Sequence, residues 1–125
     1  MASMSDYVLD AALSKLDTEA DKIYITSQEA TTYTEASSTY ALGVATSISI
    51  GAPQDRSASG GGREVVLANV TGGSVTATGD ADTFALVDST NSRLLATGSL
   101  TTSQTVTLGN TFVLASITLG IPDPA

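Results

Sequence analysis

Residues 63–78 read Arg63-Glu-Val-Val-Leu-Ala-Asn-Val-Thr-Gly-Gly-Ser-Val-Thr-Ala-Thr78, and this stretch decides the fold class. β-Branched and apolar residues run from Arg63 to Val70. The Gly72-Gly73 pair then offers a hairpin turn into a second short strand, Ser74 to Thr78. The same rhythm continues toward the C-terminus. Thr83 to Asp88 reads as a strand, Ser89-Thr-Asn-Ser as a polar loop, and Arg93 to Thr97 as the next strand. Gln104 to Leu108 meets Thr111 to Leu119 across Gly109-Asn110, a glycine-first pair suited to a type II′ turn. Turn signals about every ten residues mark a β-sandwich or a barrel.

Several of these strands are apolar on both faces. Val65 and Leu67 oppose Val66 and Val70, while Phe112 and Leu114 oppose Val113, Ile117 and Leu119. A strand with one wet face would alternate cleanly. One face buries in the domain core. The other lies under the chain's own helix and loops or against another chain, since exposed strands of this kind invite association.

Toward the N-terminus, Gly51-Ala-Pro-Gln-Asp-Arg-Ser-Ala-Ser-Gly-Gly-Gly is the strongest break in the sequence. The residues before it are too few for an independent core. The reading is therefore a flexible Gly/Ser/Pro excursion over 51–62 within one domain that spans 1–125. Ala41 to Ile50 alternates, with Leu42, Val44, Ile48 and Ile50 on one side and Ala45, Ser47 and Ser49 on the other. Gln28 to Tyr40 lacks a period and reads as a long loop. Lys22 to Ser27 reads as a short strand with Ile23 and Ile25 inward and Tyr24 and Thr26 outward.

The region 1–21 reads as one amphipathic helix from about Asp6 to about Asp21. Ser5 suits the N-cap, and Asp6 lies in the first turn where the helix dipole favours it. Leu9, Leu13 and Leu16 follow the spacing of one face, and Asp10, Lys15, Asp17 and Glu19–Asp21 are assigned to the opposite side. The leucine stripe either packs on a sheet or docks on another subunit. The fold expected is mainly β: a single antiparallel β-sandwich or barrel-like domain with one N-terminal amphipathic helix.

Composition narrows the function. The chain has 125 residues, 42% of them apolar, which argues against disorder of the whole. Charged residues make up only 14%. So sparse a charge suits a protein with much of its surface covered by neighbours. The net charge is −8. The basic residues Lys15, Lys22, Arg56, Arg63 and Arg93 form no patch in the sequence, which argues against nucleic acid and anionic membranes as partners. The N-terminus lacks the basic and apolar regions of a signal peptide, and no run reaches the ~20 apolar residues of a spanning helix.

Catalytic chemistry finds little support. There is no cysteine and no histidine, which removes disulfides, thiolate and imidazole metal sites, and the nucleophilic sites built on histidine. Lys15 and Lys22 lie on or beside an exposed helix face, where nothing would depress a pKa for Ser–Lys chemistry. No Glu sits within an apolar run that would tune a carboxylate pair. Gly79-Asp80-Ala-Asp82-Thr resembles half of a calcium loop, and a plain turn is the simpler reading. Gly60-Gly-Gly-Arg63 matches no phosphate-binding spacing. Tyr24, Tyr33 and Tyr40 fit either an interface or packing at the rim of the sheet. The expectation is no enzyme, no cofactor and no metal.

The chain as a whole resembles a family of small virion proteins of tailed bacteriophages and prophages. The resemblance rests on Tyr7-Val-Leu-Asp-Ala-Ala-Leu, Ile25-Thr-Ser-Gln-Glu-Ala-Thr-Thr-Tyr, Leu42-Gly-Val, Pro53-Gln-Asp-Arg-Ser and Gly62-Arg-Glu-Val. It continues through Phe84-Ala-Leu-Val-Asp-Ser-Thr-Asn-Ser-Arg-Leu-Leu-Ala-Thr-Gly-Ser-Leu, Gly109-Asn-Thr-Phe and Leu119-Gly-Ile-Pro-Asp-Pro. It implies a head decoration (cement) protein, made in the host cytoplasm and carried on the capsid surface. The partners implied are the major capsid protein and the chain itself as a homotrimer. A tail or adaptor subunit and a host-surface or carbohydrate-binding β-module are the alternatives. On the decoration reading, Leu9, Leu13, Leu16, Tyr33, Tyr40, Arg56 and Arg63 are the expected interface residues. The stretch Ala58-Ser-Gly-Gly-Gly is longer than the family pattern.

Overall fold

A computed structural model describes residues 4–56 and 61–122. The tip of the Gly/Ser/Pro excursion, 57–60, lies outside the described residues. The protein is mainly β, with two antiparallel sheets and one N-terminal helix. It divides into two compact units. One gathers the N-terminal segment to Thr18, Ser49–Asn69 and the C-terminal segment from Ala115; the other holds Glu19–Ile48 and Val70–Leu114. Among the described residues no helix is long and apolar enough to cross a membrane.

The first unit begins with helix α1, Asp6–Glu19. The Ser5 carbonyl accepts the N–H groups of Val8 (3.1 Å) and Leu9 (3.2 Å), which opens the helix where the cap was expected. Its sheet is three-stranded: β3 (Gln54–Asp55), β4 (Arg63–Leu67) and β9 (Ile117–Ile121), with β4 in the middle. Val65 pairs with Leu119, Leu67 with Ile117 and Arg63 with Ile121. Directly opposed residues share a face, so these six side chains line one side. Arg63 reaches Asp10 from that side, which sets α1 over it. Leu9, Leu13, Val65 and Leu67 are all buried here.

The second unit is a six-stranded sheet in the order β7-β6-β1-β2-β5-β8. Its strands are β1 (Lys22–Thr26), β2 (Ala41–Ala45), β5 (Val70–Val75), β6 (Gly79–Asp88), β7 (Arg93–Val106) and β8 (Thr111–Leu114). The central strand β1 buries Ile23 and Ile25 as its alternation predicts. Thr26 is not outward, however; it is fully buried and hydrogen-bonds to Thr83 directly across the β1–β6 pair. That bond satisfies both hydroxyls and removes the cost of hiding them.

Edge strands β7 and β8 do not pair, so the sheet is open and the barrel alternative falls away. It is nonetheless strongly curled. Only residues 107–110 separate β7 from β8. Five residue steps span at most roughly 18 Å, whereas the edges of a flat six-stranded sheet stand about 24 Å apart. The curl brings the edges within reach of that turn. The turn itself is where the sequence places it, with Gly109 at φ 92°, but it joins strands at opposite edges and makes no hairpin.

Other boundaries also move. The run 63–70 divides between β4 and β5, which belong to different sheets, and Thr111–Leu119 divides likewise between β8 and β9. The alternation of Ala41–Ile50 is broken: β2 ends at Ala45, and Ile50 forms a separate bridge with Leu67 in the first unit. Gly72 and Gly73 do not turn; they lie inside β5. A Cβ at Gly73 would stand 2.3 Å from the Phe112 ring, so this glycine answers a close approach. Gly79-Asp80-Ala-Asp82-Thr is the start of β6, and Asp80 accepts the Thr105 hydroxyl at 3.0 Å across to β7.

Candidate interaction surface

Arg63 is tied into the first unit by three aspartates. Its Nε meets Asp10 Oδ1 at 2.8 Å, its Nη1 meets Asp55 Oδ1 at 2.7 Å, and Asp6 stands 3.9 Å away. Nη2 also donates to the Pro53 carbonyl at 3.2 Å. The hydrogen bonds to Asp10 and Asp55 hold its pKa above the already high arginine value. Its planar fork is thus occupied by helix, hairpin and loop together, a structural arrangement that lysine could not reproduce. Arg56 is half-buried and donates to the Gly61 carbonyl at 3.2 Å. Leu9 and Leu13 are 2% and 3% exposed, and Leu16 is half-buried. The leucine stripe therefore serves the chain's own fold.

Tyr33 and Tyr40 come together with Tyr24 in the second unit. They pack half-buried with Leu94 around Ala30, Ala36, Ala85 and Val87. Burial, with Tyr33 and Asp21 nearby, raises the Tyr24 pKa. The segment 28–40 that carries two of these tyrosines is no plain loop. It ends in a π-helical turn, Glu35–Thr39, closed by the Tyr40 N–H on the Glu35 carbonyl at 2.8 Å. Thr32 Oγ1 accepts the Glu35 N–H at 3.1 Å, and the Glu35 carboxylate accepts the Thr31 N–H at 2.8 Å. This capping has a readable signal, Thr32-Tyr-Thr-Glu35 in its Thr-x-x-Glu form. The Thr31 N–H and hydroxyl hold the Glu35 carboxyl below its ordinary value.

The helix stops at Glu19 because Asp21 has other partners. Its N–H donates to the Val87 carbonyl at 3.0 Å, and its carboxylate takes the Ser89 N–H (2.9 Å) and hydroxyl (2.6 Å). Burial works against ionisation of Asp21, but Ser89, with Lys22 beside it, outweighs that and holds its pKa below 3.8. The unfolded chain therefore takes up this proton first on acidification. The stability Asp21 supplies is complete above about pH 5 and is lost as pH falls through 3.8 toward the folded value. Asp21→Asn should melt below wild type at pH 6, and the gap between the two melting temperatures should narrow as pH falls below 3.8; a gap that stays constant on acidification would refute the linkage.

Asp88 closes the β6–β7 turn. It is buried, and its carboxylate accepts the N–H groups of Thr90 (3.0 Å) and Asn91 (3.2 Å) and the Asn91 amide (2.8 Å). Among the described residues no cluster of three or more His, Cys, Asp or Glu side chains could hold a metal ion.

The exposed apolar residues lie elsewhere. Met4, just before α1, is 47% exposed, and Tyr7 (85%) and Val8 (50%) lie in its first turn, while Leu108 and Val113 stand out at and beside β8. At 100° per residue, Tyr7, Val8 and Ala11 point away from Leu9 and Leu13. Ala11 and Ala12 are exposed too. The outer face of α1 is thus apolar only over its first turns, with the exposed Lys15 one turn beyond Ala11 on the same side and Asp10 and Asp17 at its margin. The signal was present in the sequence as Tyr7-Val8 followed by Ala11-Ala12, a second stripe at helical spacing. No protein-family model matches the chain, and no curated protein or solved structure matches it either.

Proposed function

We propose that this chain is a structural virion protein that binds the outer surface of a phage capsid and stabilises the head lattice, acting through protein contacts without catalysis. The reading is carried by the resemblance that runs from Tyr7-Val-Leu-Asp-Ala-Ala-Leu to Leu119-Gly-Ile-Pro-Asp-Pro. Physical features support it. Net charge −8 limits adhesion to packaged DNA. Low charge density leaves surface for neighbours, and many copies on a lattice sum weak contacts into strong attachment. The partners on this reading are the major capsid protein and further copies of the chain, as a homotrimer.

Adding purified protein to heads that lack it should raise their resistance to heat and low salt, at hundreds of copies per particle. Protein that ignores such heads would sink the reading. A copy number of a few, or a ring number, would move it to the tail or its adaptor.

A further inference from the structure

We draw no further inference here: the strongest candidate, the exposed apolar patch that Met4, Tyr7 and Val8 form at the start of α1, carries nothing, because nothing in the structure shows what covers it.

Discussion

Replacing Phe112 with alanine should lower the melting temperature by on the order of 15 °C. The ring is 4% exposed and lies between two glycines. A Cβ on Gly73 would stand 2.3 Å from it, and one on Gly43 would stand 2.9 Å from it. Deleting a buried phenylalanine costs about 3–5 kcal/mol, because the transfer energy is lost and the cavity fills only in part. For a chain of this length that corresponds to roughly 10–20 °C. The converse change, Gly73→Ala, crowds the ring and should cost about 1–3 kcal/mol. Combining it with Phe112→Leu should recover part of that loss, so the two positions should show a coupling energy of at least about 0.5 kcal/mol. Additive effects would show that the ring does not need the glycine. The second phenylalanine repeats the device: Phe84 faces Gly98 directly across β6 and β7, with a hypothetical Cβ 2.7 Å from its ring. Both phenylalanines of the chain thus lie over a cross-strand glycine, each filling the space that the missing side chain leaves.

Gly62→Ala should damage the first unit as severely. Gly62 has φ 96°, where an L side chain costs about 1–2 kcal/mol. A Cβ there would also fall 2.0 Å from the Ile121 carbonyl oxygen and 2.7 Å from the Pro122 Cα. These are backbone atoms, so no rotamer change relieves the clash; β9 must move. The total should exceed about 3 kcal/mol, and amide exchange should quicken first at the Arg63–Ile121 end of the β4–β9 pair. Gly72→Ala is the matching control. Nothing lies within 4 Å of a Cβ at Gly72, and the change should stay within about 0.5 kcal/mol. A Gly62→Ala protein as stable as wild type would mean that β9 does not seat against residue 62.

The sequence made the elements legible better than their partners. The α1 stripe at Leu9 and Leu13 and the alternation at Ile23 and Ile25 are local periodicities, and each survives in the fold. Which strand lies beside which depends on contacts distant in the chain. The apolar run Arg63–Val70 therefore looks continuous although its two ends enter different sheets. Gly72-Gly73 carries an ordinary turn signal, and only the Phe112 ring, some forty residues on, explains why the chain stays extended there. Thr26 looks solvent-facing until Thr83 supplies its hydrogen bond. The two sides of α1 differ for a related reason. Leu9, Leu13 and Leu16 form the stronger stripe on α1, and a strong stripe is what a fold uses first. The weaker one, at Tyr7, Val8 and Ala11, is left facing outward. Arg63, expected from the resemblance at an interface, is held by Asp10 and Asp55 through contacts distant in the chain.

The first unit is assembled from three stretches that are far apart in the chain, and this sets an order of events during synthesis. Helix α1 leaves the ribosome before every strand of its unit, and β9 follows about a hundred residues later. At about 5–20 residues per second that delay is several seconds or more, far longer than a helix takes to form. The six-stranded sheet has all its strands by Leu114, so it can condense while Leu9 and Leu13 still await β9. During that interval α1 shows Leu9 and Leu13 to solvent, and crowding by nascent neighbours or capture by a chaperone is the hazard that this connectivity creates.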